Sequence, residues 1–439
     1  MPVQGSANAT EVLTLFEYEI TDALQEREMK AIEQISRSMG VEILRPRIRQ
    51  GRLYYQARQY VGVLRLGQRT LQILPKIHDS KDRWQSEQEA TRNLLWMMDY
   101  AGYLNIRESS LADLKQAQDW FEVLIYLFVH NLKCQWIKGA SRSYEPVDAV
   151  LPVLKGKWRT IAQMRRPEQK HLFAVTYDEF TLDNQLNRVF RYVVEGLWQV
   201  TRDHQNRQLL SELRYWMDEV TLLPTMTAQA AQNIQLTRLN RQYEPLLNLA
   251  RLFLARLGLE LSANNLTAFA FVFDMNQLFE RFITGFMQRH KDSVLPEALQ
   301  PCQLLPQGRQ AVCYLARYAE RRIFRLKPDL VFRHGEQYPL LMDFKYKHLN
   351  PNDRKLGIAE ADFYQMYAYL SRFDCSQVTL MYPQTASLLE PIRSRFILEG
   401  RQGEIQVATV NLLKDLTAKG AKQELIVELR QILEQEANG

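Results

Sequence analysis

Residues 328–345 constrain the fold of this 439-residue chain more than any other stretch. They form two short apolar runs joined by a polar turn near Glu336, which is the pattern of a β-hairpin. Because side chains alternate faces along a strand, Asp343 and Lys345 are predicted to point the same way. Asp329 falls on the partner strand, roughly across the ladder from them. The hairpin is therefore predicted to bring two carboxylates and one ammonium together at a strand end.

These residue types suit a divalent metal ion and the hydrolysis of a phosphodiester. Mg²⁺ prefers oxygen ligands and is usually held by one or two carboxylates, several waters and substrate phosphate. Asp329 and Asp343 are the predicted ligands of Mg²⁺, for which Mn²⁺ can substitute. Lys345 is predicted to hold and help deprotonate the attacking water, or to neutralise charge on the phosphate. Nearby carboxylates raise the pKa of a lysine and a metal lowers it, so the sequence leaves the protonation state of Lys345 open.

Two flanking segments have helical spacing and carry further polar candidates. Residues 273–283 predict a helix with Glu280 on the flank of its apolar stripe, within reach of a site at the sheet edge. Residues 362–369 open a second helix, on which Gln365 and Tyr369 share a face because they are four apart. An amide and a hydroxyl suit the positioning of a water, a lysine or a nucleic-acid backbone. Of Tyr364, Tyr367 and Tyr369, at least two are predicted to pack in the core.

Each candidate also has an ordinary structural interpretation. An exposed aspartate and a solvated Asp-Lys pair are common at strand ends, and Glu280 beside Arg281 has the form of a surface ion pair. A run of arginines on a solvated face is equally ordinary for residues 317–327, where Arg317, Arg321, Arg322, Arg325 and Lys327 gather. The order of the motifs distinguishes these interpretations from a functional one.

That order is a helix with Glu, a strand with Pro-Asp, a strand with Asp-x-Lys and a helix with Gln-x-x-x-Tyr. It resembles the PD-(D/E)xK nuclease core, and the Gln-x-x-x-Tyr feature is similar to the RecB-type branch. The resemblance is closer to the McrC family, the nuclease subunit of the McrBC modification-dependent restriction system. It is carried by residues 274–276, 278–280, 327–329, 343–347 and 364–369, and nearer the N-terminus by residues 60–66, 73–77, 177–180 and 183–188.

The resemblance implies a Mg²⁺-dependent DNA endonuclease subunit. Asp329, Asp343 and Glu280 would bind the metal, Glu280 directly or through water, while Lys345, Gln365 and Tyr369 complete the catalytic set. It also implies a McrB-like AAA+ GTPase oligomer as partner, which would read cytosine methylation in the DNA. The chain itself has no G-x-x-x-x-G-K-[ST] motif for nucleotide phosphates. The strand-rich region would dock on the ring, with Arg47, Arg49, Arg52, Gln68 and Arg69 as contact candidates.

The predicted fold is a multidomain α+β architecture. Residues 1–85 form a β-rich partner-docking region, and residues 86–265 a mainly helical region with a loop and strand insert at 138–177. Residues 266–439 form the α/β restriction-endonuclease-like PD-(D/E)xK domain. Two helices are predicted over residues 184–220, with their break near residues 204–206.

Composition sets weaker bounds. Lys and Arg total 56 against 50 Asp and Glu, and a net charge of +6 is too mild to indicate nucleic-acid binding by itself. Four widely spaced cysteines favour neither a disulfide framework nor a zinc site, which suits a reducing compartment. No apolar run has the length of a transmembrane helix, and no signal pattern opens the chain. A cytoplasmic protein without membrane contact is predicted.

Two other functions stay open from the residues alone. The first is a RecB-like DNA-processing nuclease of repair, which the matches nearer the N-terminus and the absence of an iron–sulfur cysteine set argue against. The second is a non-catalytic adaptor that activates a partner NTPase. The intact set of Asp329, Asp343 and Lys345 argues against the adaptor.

Overall fold

The computed structural model describes residues 12–437 apart from 68, 79–81, 105–118, 170, 258–267, 386–387, 389 and 401. The chain forms two compact units, one of residues 1–118 with 270–439 and the other of residues 119–269. Several separate sheets alternate with helices, which confirms the predicted multidomain α+β class. The boundaries predicted after residues 85 and 265 stay a prediction.

The N-terminal strands form two small sheets. The parallel pair β1–β6 and the antiparallel pair β5–β6 belong to a four-stranded sheet of order β1-β6-β5-β10, and β2-β4-β3 form a three-stranded one. Gly62 lies where β5 meets β10, and a Cβ there would stand 2.2 Å from the Phe271 carbonyl oxygen, so only glycine fits. The strands are β1 Val12–Phe16, β2 Ile20–Thr21, β3 Leu44–Arg49, β4 Arg52–Ala57, β5 Tyr60–Leu66, β6 Arg69–Leu74 and β10 Ala268–Asp274.

A helix that the strand-rich interpretation missed, α1 Glu26–Met39, lies within this region. Glu28 accepts a hydrogen bond from the backbone N–H of Gln25 at 2.8 Å, and Gly40 ends the helix with φ +66°. Ile32 is buried with the sheet residues, and Glu28 pairs with Arg69 at 3.0 Å. The Gln-x-x-Glu start and the glycine stop were the available sequence signals.

The second unit is a helical body with a small antiparallel sheet of order β7-β9-β8. Asp119, Asn184 and Asp203 each cap the helix that follows, and the break after Val200 covers residues 201–203, just before the predicted one. The elements are α2 Arg83–Tyr100 in the first unit, then α3 Trp120–Gly139, β7 Ser143–Leu151, β8 Lys157–Trp158, α4 Thr160–Met164, β9 Phe173–Thr181, α5 Gln185–Val200, α6 His204–Trp216, α7 Ala228–Gln232 and α8 Glu244–Leu257.

The helix that carries Glu280 packs against α2. This helix, α9 Met275–Arg289, begins at a cap on Asp274, whereas Phe273 belongs to strand β10, so the predicted helix starts two residues too early. Gly285 allows the close approach, since a Cβ there would lie 2.0 Å from the Tyr100 carbonyl oxygen. Aromatic rings of the two helices are in contact, and Phe279 of α9 also contacts Phe344 of the C-terminal sheet, with ring centroids 6.3 Å apart.

A six-stranded mixed sheet of order β11-β14-β15-β16-β18-β17 forms the C-terminal region. The predicted hairpin is β14–β15, antiparallel, and β15, β16 and β18 run parallel. A separate two-stranded sheet, β12–β13, lies between β11 and β14 in the chain. The elements are α10 Lys291–Val294, β11 Gln303–Pro306, β12 Cys313–Tyr318, β13 Arg321–Leu326, β14 Leu330–His334, β15 Gln337–Phe344, α11 Glu360–Phe373, β16 Gln377–Pro383, β17 Arg393–Ile397, β18 Glu404–Val410 and α12 Ala421–Ala437.

In the part of the chain that the structure describes, no helix combines the length and apolarity needed to cross a bilayer.

Candidate active site

The two predicted aspartates face each other where β14 begins and β15 ends. Leu330 pairs with Met342, so the same register places Asp329 opposite Asp343. The Asp329 Oδ2 accepts a hydrogen bond from the backbone N–H of Phe344 at 2.7 Å. Asp343 is buried, with 1% of its surface exposed. The turn at residues 335–336 is where the sequence predicted it, and a register shift between Phe332 and His334 then brings Asp329 opposite Asp343.

Lys345 reaches the same face, as the alternation predicted. Its Nζ lies 2.6 Å from Asp343 Oδ2 and donates a hydrogen bond to Gln365 Oε1 at 3.1 Å. Gln365 in turn donates to the Tyr369 hydroxyl at 2.6 Å, and that hydroxyl donates to the Lys327 carbonyl at 3.0 Å. Helix α11 therefore orients the lysine through a chain of hydrogen bonds that ends beside Asp329.

The core prediction for the three tyrosines of α11 is wrong. Tyr369 is buried at 1% exposure, whereas Tyr364 and Tyr367 are 66% and 46% exposed. The helix packs one stripe on the sheet, and Tyr369 follows Met366 on that stripe, while Tyr364 and Tyr367 fall outside it.

Glu280 joins the site through a residue that sequence reasoning missed. Gln307 donates a side-chain hydrogen bond to Glu280 Oε1 at 3.3 Å, and its backbone N–H donates to the Asp329 carbonyl at 2.7 Å. Gln307 has φ +53°, a left-handed conformation that turns the chain after β11. No local pattern marks this glutamine, because its role arises only when β11 lies beside β14.

Burial and mutual repulsion dominate the electrostatics of the carboxylates. Burial, with the charges of Asp343 and Glu280, raises the pKa of Asp329 to about 8. Burial likewise raises the pKa of Asp343, although the Lys345 ammonium opposes the rise. Burial also raises the pKa of Glu280, against the hydrogen bond from Gln307. Burial and mutual repulsion therefore disfavour the charged forms of the three acids, and a nearby positive charge favours them.

The sequence left the protonation state of Lys345 open, and its surroundings in the metal-free protein decide it. Burial lowers its pKa, but the carboxylates of Asp343 and Asp329 outweigh that effect, and the pKa is raised overall. The side chain is therefore an ammonium, paired with Asp343 and held by Gln365.

The donor atoms fit a divalent cation that keeps part of its water shell. Asp343 Oδ2 is buried and, among the described residues, receives no hydrogen bond of acceptable angle, although Lys345 Nζ lies within ion-pair distance. Opposed, repelling carboxylates are stabilised by a cation between them. Within the described ranges, no group of three or more Asp, Glu, His or Cys residues is close enough to form a complete metal cage. Asp329 and Asp343 are the side chains that could hold such an ion directly, and Glu280 could contact it through water; their role as ligands stays a prediction.

A further buried acid, Glu17, contacts the residue that follows Lys345 in the chain. Tyr346 follows Lys345, and its hydroxyl donates to Glu17 Oε2 at 2.7 Å. The backbone N–H of Lys76 donates to the same oxygen at 3.2 Å. Burial raises the pKa of Glu17 to about 8, despite the hydrogen bond from Tyr346. The N-terminal strand β1 therefore ends in contact with the segment that carries the lysine, which no sequence spacing revealed.

The geometry can be compared with known proteins. The family model of the McrBC 5-methylcytosine restriction system component matches residues 55–383, well over half of the chain. The chain belongs to this family. The match covers the hairpin, Glu280 and most of α11 and β16, and it confirms the family that the sequence motifs indicated. Restriction-system membership is thus shown by the family match.

A solved structure of a McrBC complex contains a chain with the same fold. A refined half-complex from a tetradecameric assembly of Thermococcus gammatolerans McrB AAA+ hexamers with bound McrC contains a chain with 24% identity and a TM-score of 0.65. The similarity covers 96% of this chain and 100% of that chain. A chain in a cryo-EM structure of the Thermococcus gammatolerans McrBC complex is 28% identical, with a TM-score of 0.49, over 64% of this chain and 88% of that one. No curated protein matches the chain.

Proposed function

We propose that this McrBC family member is the Mg²⁺-dependent DNA endonuclease subunit of a modification-dependent restriction complex, with a PD-(D/E)xK nuclease domain. The observation that carries the proposal is the opposition of Asp329 and Asp343 across one ladder, with Lys345 Nζ 2.6 Å from Asp343. Two acids and a lysine at the end of a hairpin are the groups that metal-assisted phosphodiester hydrolysis requires. Membership of the McrBC family supports assigning this chemistry to a restriction complex.

Asp329 and Asp343 would hold Mg²⁺, or Mn²⁺ in its place, and Glu280 would contact it through water. When bound, the ion would polarise the phosphoryl oxygen and lower the pKa of a water. The raised pKa values of the three acids would fall as a cation neutralises their repulsion. The chain supplies a buried, preoriented pair of carboxylates for this purpose.

The remaining residues position the attacking water and the phosphate. Lys345 carries three donors on one ammonium, one of which is committed to Gln365 at 3.1 Å. With a cation held by Asp343, the Lys345 ammonium would be available to hold the attacking water or a phosphate oxygen. Tyr369 does not reach substrate in this arrangement, since its hydroxyl is bonded to Gln365 and to the Lys327 carbonyl. It is a positioning residue.

The partner is proposed by likeness to the Thermococcus gammatolerans structure, in which McrC is bound to McrB AAA+ hexamers. We propose that a McrB-like AAA+ GTPase ring binds this chain, recognises methylated cytosine and supplies the energy of nucleotide hydrolysis. The strand-rich region would dock on that ring. Arg47, Arg49 and Arg52 are exposed there, whereas Arg69 pairs with Glu28 and Gln68 lies outside the described residues.

The decisive experiment is plasmid cleavage by the purified chain with Mg²⁺, with and without the AAA+ partner and GTP, on methylated and unmethylated DNA. Asp343→Ala is the test variant, and Glu336→Ala, an exposed acid in the turn of the same hairpin, is the matched control. Cleavage that needs partner, nucleotide and Asp343, but not Glu336, is expected. Degradation of DNA ends without the partner would instead indicate a repair-type nuclease. Equal stimulation of the partner GTPase by wild type and Asp343→Ala, with no cleavage, would indicate an adaptor.

A further inference from the structure

The β12–β13 hairpin is a positively charged arm attached to the candidate active site. Strands Cys313–Tyr318 and Arg321–Leu326 pair only with each other among the described strands. Four arginines lie in residues 313–326 against one carboxylate, that of Glu320. All four, which are Arg317, Arg321, Arg322 and Arg325, are exposed. The arm therefore carries an excess of exposed positive charge.

These four guanidinium groups form no ion pair with a carboxylate within the described part of the chain. None of the four lies within ion-pair distance of a carboxylate there, whereas Arg83, Arg289 and Arg393 of the same unit are each paired with one. Arg317 and Arg322 are directly opposite across the ladder. Like charges in that position are destabilising, so the arm favours an external polyanion over its own neighbours.

Two exposed aromatic rings accompany the arginines. Tyr318 and Phe324 are 75% and 68% exposed. Phe324 has φ +55°, an unusual conformation for a bulky residue inside a strand. That conformation interrupts the ladder between two regular pairs and presents the ring to solvent. Arginine with exposed aromatic rings is a combination that fits the backbone and sugar faces of nucleic acid.

The base of the arm is fixed to the site. Arg372 of α11 donates from Nε to the Tyr314 carbonyl at 2.9 Å, and Cys313 donates from Sγ to the Arg372 carbonyl at 3.4 Å. At the other strand, the Lys327 carbonyl accepts from Tyr369. The helix that orients Lys345 therefore also anchors the arm, and Asp329 follows β13 directly in the chain.

We infer that the β12–β13 arm grips the DNA backbone beside the scissile phosphate, with Arg317 and Arg322 as phosphate contacts. This inference rests on the proposed nuclease function, and it names the surface that holds the substrate. Arg322 is seven positions before Asp329, a span of at most roughly 24 Å at strand spacing. At about 3.4 Å per base pair, the arm reaches at most about seven base pairs from the cut.

The test is equilibrium binding of a fluorescent methylated DNA duplex of about 40 base pairs by the full-length chain in EDTA, across a range of salt concentrations. R317Q/R322Q is compared with K419Q/K422Q, which removes the same two charges from exposed positions of the same unit. We expect roughly tenfold weaker binding for R317Q/R322Q at about 0.1 M salt, and a log–log salt slope smaller by about 2. The control should match wild type, and R317K/R322K should restore binding, which excludes a folding defect.

Duplex length gives a second measurement on the same proteins. Trimming the DNA to fewer than about five base pairs on one side of the cut should weaken wild type but leave R317Q/R322Q unchanged. Equal affinity and an equal salt slope for R317Q/R322Q and wild type would overturn the inference that the arm binds DNA. Absence of DNA binding by wild type, with and without the AAA+ partner, would overturn it as well. If the variant binds DNA weakly but wild type shows no Asp343-dependent cleavage, the inference that the arm binds DNA would stand and the proposed nuclease function would be overturned.

Discussion

The β14–β15 hairpin and the β12–β13 arm are consecutive in the chain, yet they place their charges in opposite environments. The first buries two carboxylates against each other and balances them with Lys345 from the same strand segment. The second exposes four arginines, and no carboxylate of the described residues forms an ion pair with them. Buried like charges change pKa values strongly, because the medium screens them little, whereas exposed ones interact weakly. Substitutions in the β14–β15 hairpin should therefore alter different measured properties from substitutions in the β12–β13 arm.

The largest effect is expected from Asp343→Asn. The side chain keeps its shape but loses its charge, so cleavage should fall by about 10³-fold or more. The repulsion with Asp329 disappears at the same time, and the protein in EDTA should unfold at an equal or higher temperature. Cleavage rates with the partner and thermal unfolding check both parts. Glu336→Gln, at the solvent end of the same hairpin, should leave both unchanged.

The buried acid behind the hairpin should control the pH dependence of stability. Glu17 has a folded pKa of about 8, above its ordinary value of 4.5. A raised pKa means that its contribution is fully present below about pH 4.5 and is lost as pH rises through 8. Wild type should therefore lose about 2–5 kcal/mol of unfolding free energy between pH 5 and 9 from this group.

Glu17→Gln tests that assignment by denaturant unfolding in EDTA at both pH values. The variant should lose less stability than wild type on going from pH 5 to 9, and a residual slope should remain from Asp329, whose pKa is also about 8. Equal slopes in wild type and variant would contradict the role given to Glu17. Glu336→Gln again serves as an exposed control.

A smaller loss is expected when the lysine loses its orienting partner. Gln365→Leu removes the acceptor for Lys345 and the donor to Tyr369. Cleavage should fall roughly 10–100-fold, with kcat affected more than KM, because the lysine stays but is less well placed. Gln365→Glu keeps an acceptor and should retain more activity. An equal loss in both variants would argue for a packing defect instead.

The smallest effect should come from the arm, with the opposite sign. Arg322→Gln removes one member of the like-charge pair with Arg317, so the unfolding free energy should rise by a few tenths of a kcal/mol at low salt. About 1 M salt should abolish the gain, since exposed charges are screened. Unfolding at the two salt concentrations checks this. A loss of stability would mean that Arg322 has a structural role in the arm.

Much of the candidate site was predictable because its determinants are local. The Asp343-x-Lys345 spacing fixes a shared strand face, and the four-residue spacing of Gln365 and Tyr369 fixes a helix face. The turn before Gln337 joins the two strands where the sequence predicted, but the register shift between Phe332 and His334 decides which residues oppose each other. Each of these relations depends on the period of one element or of one hairpin. The helix α1 was equally local, and its start and stop signals were overlooked.

Other features depended on which elements meet. Gln307 bridges Glu280 and Asp329 because β11 lies beside β14, and Glu17 supports Tyr346 because β1 ends at the same place. Tyr369 is buried while Tyr364 is exposed because only one stripe of α11 faces the sheet. The sequence by itself determined the charged groups and their spacing along each element. The tertiary structure alone decided which of them are buried together, and burial is what raises the pKa values of Asp329 and Asp343 above those of ordinary carboxylates.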